Sequence, residues 1–210
     1  MLRVIGNDQN LPRQEHAIAS GTLPNGKPVI VNADGTVSVV AETPVSENKG
    51  TEVTFDSSSL GDVNAVYDET NNKLVVVYHD TDGGNQATYV VGTVSGTSIS
   101  FGSPTVIESG IQYNNKQLVY HAASGKLVLV YRDTSQSGRG EARVGTVSGT
   151  SISWGTATVF ESGSSGVTNL AAAYDASTEK VVIIYRDDST SNYGTAIVGT
   201  VSGTSISFGT

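Results

Sequence analysis

Three features of this 210-residue sequence predict an all-β chain assembled from repeated antiparallel units. First, the word "VGTVSGTSISFG" at 91–102 returns as "VGTVSGTSISWG" at 144–155 and as "VGTVSGTSISFG" at 198–209. Second, outlying residues keep the same interval. Tyr67, Tyr120 and Tyr174 are 53 and 54 residues apart, and so are Tyr78, Tyr131 and Tyr185, and Asp80, Asp133 and Asp187. Third, charged residues make up only 15% of the chain while Gly numbers 24 and Ser, Thr, Val and Ile abound. That balance favours strands joined by tight turns over long helices, which want Ala, Leu, Glu and Lys.

Taken in order, residues 1–50 come first. "HAIASGTLPNGKPVIVNADGTVSVVAE" holds three strand-like runs separated by the turn signals "PNG" and "NADG". This segment reads as an N-terminal attachment module or a degenerate partial unit. Residues 51–210 divide into three repeats, about 52–103, 104–156 and 157–210. Each is expected to open with a short strand ("EVTFDS", "PTVIES", "ATVFES") and continue through "GDVNAVYDE", "NKQLVYHA" or "TNLAAAYDA". The next strands, "LVVVY", "LVLVY" and "VVIIY", are unbroken apolar runs, the mark of a strand covered on both faces. In "TSISF" the Ile and Phe share one face and the serines the other, as in a half-buried strand. Ser-Gly at 95–96, 148–149 and 202–203 sits between two such runs, where glycine supplies the positive φ of a tight hairpin.

A four-stranded antiparallel unit of this length, repeated in series, predicts a β-propeller-like array of blades with a small β-rich N-terminal segment. The aromatic-glycine endings, Phe101-Gly102, Trp154-Gly155 and Phe208-Gly209, are then packing contacts between blades. Closed propellers need about four to eight blades, so three imply either a longer parent chain or closure by homo-oligomerisation.

Several functions are disfavoured. The net charge of −8 repels phosphate backbones and anionic lipid, which argues against nucleic-acid and membrane partners. No stretch is apolar enough to span a bilayer as a helix, and "MLRVIGNDQNLPRQEH" does not read as a signal peptide. With no cysteine, thiolate chemistry and disulfides are excluded. No nucleophile elbow, P-loop or dinucleotide fingerprint occurs, and no cofactor is expected.

The most chemical feature is the repeated strand ending: Tyr131, Arg132 and Asp133, then Tyr185, Arg186 and Asp187, with Tyr78, His79 and Asp80 at the first position. Two readings stand. The arginines and aspartates could hydrogen-bond a sugar or carboxylate beside a tyrosine stacking surface, one weak site per blade. Alternatively each Asp caps the following turn and each Tyr packs between blades. "DTDGGN" places Asp80, Asp82 and Asn85 like a fragment of a calcium loop, although the matching loops "DTSQSGRG" and "DDSTSNYG" lack that acidic spacing. His16, His79 and His121 share no zinc-ligand spacing. Glu108 and Glu161 occupy matching positions of different repeats and read as repeat consensus, not as a glycosidase pair.

The run "AIASGTLPNGKPVIVNADGTVSVV", followed by copies of "VxFES…YD…KVVIxYRD…YGTAIVGTVSGTSISFG", resembles repeat proteins encoded by tailed bacteriophages, especially marine ones. The likeness runs from about His16 onward. It implies a non-enzymatic virion appendage protein of the tail-fibre or fibre-adaptor kind, assembled in the host cytoplasm and extracellular in the mature particle. Its partners would be other virion proteins, further copies of itself, and a host-surface glycan met by blade loops such as "SNYGT". The other reading is a secreted carbohydrate-binding or carbohydrate-cleaving propeller.

Overall fold

The structure is a computed structural model that describes residues 2–6, 13–40, 50–107, 113–163 and 166–209. It falls into two compact units, Met1–Asn48 and Lys49–Thr210. Among the described residues there is no α-helix, only one 3-10 turn at Thr134–Gln136.

The first unit is a four-stranded sheet of β1 (Leu2–Gly6), β2 (Arg13–Ala19), β3 (Val29–Val31) and β4 (Thr36–Val39) in the order β1-β2-β4-β3. The β2–β4 pair is parallel, and the others are antiparallel. Both turn signals act as expected. Gly26 and Gly35 have φ of 79° and 80°, and Asp34 Oδ1 accepts the Thr36 amide at 3.0 Å and its hydroxyl at 2.7 Å. Val37 is buried, whereas Ile18, Ile30 and Val31 lie exposed.

The second unit holds three sheets of one design. The first comprises β5 (Leu60–Asp68), β6 (Lys73–Asp80), β7 (Gln86–Ser95) and β8 (Ser98–Phe101), with β9 (Thr105–Val106) added to β7. The second comprises β10 (Tyr113–His121), β11 (Lys126–Asp133), β12 (Arg139–Ser148) and β13 (Ser151–Trp154), with β14 (Thr158–Glu161) added to β12. The third comprises β15 (Val167–Asp175), β16 (Lys180–Asp187), β17 (Tyr193–Ser202) and β18 (Ser205–Phe208). Each is an antiparallel meander, with two-residue hairpins at Gly96-Thr97, Gly149-Thr150 and Gly203-Thr204.

This corrects the expected repeat phase. "PTVIES" and "ATVFES" do not open their own sheets, because β9 and β14 hydrogen-bond to the preceding one. The reason is strand length. β8 and β13 cover only the hairpin half of the ten-residue β7 and β12, leaving the other half an open edge that the next segment closes. The aromatic of that segment still packs on its own sheet. Phe55 meets Tyr78 and Phe101, and Phe160 meets Tyr185 and Phe208, with ring centroids 5.3–5.6 Å apart. The lead segment thus staples neighbouring sheets, bonded to one through backbone and to the other through a ring.

The sheets stack face to face. On each second strand alternate residues point either way. Leu74, Val76 and Tyr78 define the leading face of the first sheet, and Val75 and Val77 its trailing face. The trailing residues Val75, Val77 and Val91 pack with Leu127, Leu129 and Tyr131 of the second sheet. Val128, Val130 and Val144 repeat that contact with Val181, Ile183 and Tyr185 of the third. Burying one such side chain fully contributes about 1.5–3 kcal/mol. The expectation that all three apolar runs are covered on both faces holds for β6 and β11 and fails for β16. There the burial alternates, and Ile184 and Val198 are 53% and 46% exposed because, among the described residues of this unit, no further sheet of the repeat lies against them.

Two local devices support the stack. Register breaks recur in β5, β10 and β15, with Asp62, Asn115 and Asn169 at φ of 51°, 47° and 52°. Asp and Asn tolerate this left-handed conformation, which lets a bulge form without glycine. Repeat glycines permit close approach. A Cβ on Gly102 would meet Thr150 Cβ at 2.7 Å, and one on Gly155 would meet the Thr204 carbonyl oxygen at 1.9 Å.

Candidate functional site

The six residues of the Tyr-Arg-Asp endings occupy corresponding ends of β11 and β16, but their side chains serve different ends. Tyr131 is fully buried; its hydroxyl donates to Glu141 Oε2 at 2.7 Å and accepts from Arg143 Nε at 3.0 Å. Arg139 completes this cluster by pairing with Glu141. Tyr185 is 4% exposed; burial first, and then the charges of Glu161 and Asp187, push its hydroxyl pKa above the usual range. At the first position Tyr78 donates to Asp56, and its pKa is raised by burial and by that carboxylate. Asp56 and Glu161 hold the same repeat position, so the acid of the lead segment is the tyrosine's partner in the first and third repeats. Glu161 also accepts the Gly163 amide at 2.5 Å. Glu108, the second member, lies outside the described residues.

The aspartates turn inward to backbone. Asp133 Oδ1 accepts the Ser135 amide at 2.8 Å and its hydroxyl at 2.6 Å, and Asp187 makes the same pair with Ser189 at 2.9 and 2.5 Å. Asp80 accepts the Asp82 and Gly83 amides at 3.1 and 2.7 Å. In the calcium-like fragment Asp82 accepts the Ser59 amide at 2.8 Å, while Asn85 supplies a left-handed turn residue at φ 57°. Among the described residues no three His, Cys, Asp or Glu side chains are grouped to hold a metal ion. His121 is buried, with its ring nitrogens 2.8 Å from Ser124 Oγ and 3.1 Å from the Glu179 carbonyl oxygen.

The arginines differ. Arg186 is 44% exposed and pairs with Asp188 at 2.6 Å. Asp188 also accepts from Thr168, and its carboxyl is held below the usual range chiefly by Arg186, with a smaller contribution from Arg132. Arg132 is half-buried, and its Nε has no hydrogen-bond partner. One rim therefore brings together Arg132, Arg186, Asp188 and Thr168, near the exposed Tyr193. Tyr131 and Tyr185 have their rings inside the stack. Asp133 and Asp187 are buried behind the loops they cap.

Sequence reasoning passed over a second group, the ties between sheets. Tyr120 hydroxyl accepts the Thr70 amide at 3.1 Å, and Tyr174 hydroxyl accepts the Ala123 amide at 3.2 Å, the same bond one repeat later. Tyr89 hydroxyl accepts the Ile152 amide at 3.1 Å. Lys116, fully buried, reaches Asp62 at 3.0 Å; desolvation lowers its pKa, and Asp62 acts against that. The recurrence of tyrosine at 67, 120 and 174 was the available signal for the first two bonds.

The capping carboxylates carry a pH prediction. Bonds from Ser58, Ser177 and Ser189 hold Asp56, Asp175 and Asp187 below their ordinary range, Asp175 at about 2. A folded pKa below the unfolded one contributes stability that is present above the unfolded value and lost as pH falls through the folded value. The melting temperature should hold steady from about pH 7 to 5 and then decline continuously from about pH 4 to 2. Circular dichroism melts test this, and a midpoint indifferent to pH across the acid range would refute the caps.

No protein-family model, curated protein or solved structure matches this chain.

Proposed function

We propose that this chain is a non-enzymatic structural protein of a tailed-phage virion, part of a tail fibre or adaptor, whose residues 51–210 form a propeller-like array of blades. One observation carries the reading: the chemically capable residues that repeat are engaged in holding the stack together. Tyr78 bonds the lead-segment Asp56, Tyr120 and Tyr174 bond neighbouring turns, Tyr131 bonds Glu141 inside its own sheet, and Asp133 and Asp187 cap their own loops. Residues kept at equal intervals for stacking suit a spacer or appendage, where shape is the function. The first strands of successive sheets also lie against one another, β5 on β10 and β10 on β15, as blades converging on an axis do. Homo-oligomers and other virion proteins are the partners of such an appendage.

Host-surface glycan contact falls to the loops at the β16–β17 rim, where Arg186 and Tyr193 are exposed. Immunogold labelling of purified particles with antibodies to this chain should mark an appendage; unlabelled particles that yield none of the protein would refute the virion assignment. On a glycan array, binding by the chain should disappear in the Arg132→Ala, Arg186→Ala double variant. Polysaccharide hydrolysis that survives those changes would favour the carbohydrate-cleaving alternative.

A further inference from the structure

The trailing face of the third sheet is built like the two that are already covered. Val182, Ile184, Ala196 and Val198 stand at the repeat positions of Val128, Val130, Ala142 and Val144 in the second sheet. Those four are completely buried against the third sheet, whereas Ile184 and Val198 are 53% and 46% exposed. The glycine at the edge tells the same story. Added Cβ atoms at Gly50 and Gly155 would run into the hairpin carbonyls of Thr97 and Thr204, at 2.1 and 1.9 Å, and one at Gly102 into the Thr150 side chain. Gly209 has nothing within 4 Å. Gly209 therefore keeps the clearance that such a hairpin needs, although no hairpin among the described residues occupies it.

From this continuity with an interface made twice in the same molecule, we infer that the trailing face of the third sheet docks a further sheet of this repeat. The occupant presents an apolar-x-apolar-x-Tyr strand to Val182, Ile184 and Val198, and lays the Thr of a Ser-Gly-Thr-Ser hairpin over Gly209. A second copy of this chain does not qualify, since its own matching faces are covered. Even on the first sheet Val76, Tyr78 and Val90 are 4%, 0% and 0% exposed. The inference rests on sheet packing and is independent of the virion assignment.

The test appends a second copy of residues 156–209 after Gly209 of the full chain, supplying the leading face that already fits an equivalent surface. Hydrogen exchange at the amides of β16 and β17 should slow by about tenfold or more, as expected when an exposed sheet becomes core. Ile184→Lys should leave the 210-residue chain's melting point nearly unchanged yet abolish that added protection. Unchanged exchange in the extended chain would overturn the inference. So would a back-to-back dimer of the unextended chain that light scattering detects and Ile184→Lys dissolves, because the face would then serve self-association.

Discussion

Ile183→Ala is expected to cost about 3 kcal/mol of unfolding stability, and Ile184→Ala, one residue later, about 0.5 kcal/mol. The two side chains are identical and adjacent on β16, and they leave the strand on opposite faces. Ile183 is 0% exposed and sits among Val128, Val130 and Val144 of the second sheet. Removing its methyl groups forfeits their transfer free energy and leaves a cavity that close-packed neighbours cannot fill. Ile184, 53% exposed, already meets solvent, so truncation opens no cavity. Urea unfolding of both variants measures the difference. Equal losses would mean that the face bearing Ile184 is also buried in solution, and the described packing of the third sheet would be wrong.

The second large effect concerns glycines in the repeated word. Gly155→Ala is expected to destabilise by about 3 kcal/mol and Gly209→Ala by less than about 0.5 kcal/mol, although both follow an aromatic in the same sequence. At Gly155 the new methyl lands 1.9 Å from the Thr204 carbonyl oxygen, and a backbone atom cannot swing aside as a side-chain tip would. The second and third sheets must separate locally, which weakens the contacts of Ile206 and Val144 between them. At Gly209 the methyl enters open space. Denaturant midpoints decide the matter, and comparable values for the two variants would remove the steric account of why the word ends in glycine.

The repeated words marked the right elements but misled on their grouping. The lead segments match in sequence, so they read as first strands; their backbone partners lie in the preceding sheet because β8 and β13 are too short to close it. The bulges at Asp62, Asn115 and Asn169 left only a faint trace, a short polar residue at one repeat position. The candidate site fared similarly. Asp133 and Asp187 as turn caps were one of two readings open from spacing alone, and the hydrogen bonds to Ser135 and Ser189 give that reading its geometry. The cluster of Arg139 and Arg143 around the buried Tyr131 and Glu141 was missed because attention to what recurs passes over what does not. Glu141 and Arg143 replace Thr88 and Val90 of the first repeat, and a charge standing where a sister repeat is apolar or uncharged was the clue.

By itself the sequence determined the strand-and-turn alphabet: period-2 runs, hairpin glycines and an interval that makes three units equivalent. These are local properties, set by backbone sterics and side-chain polarity within a few residues. Tertiary structure alone decided which equivalent residues are equal in energy. Ile184 and Val130 share a repeat position, as do Gly209 and Gly155, yet only Val130 and Gly155 face a neighbouring sheet. Burial and clearance depend on what stands opposite, and that is a property of the stack.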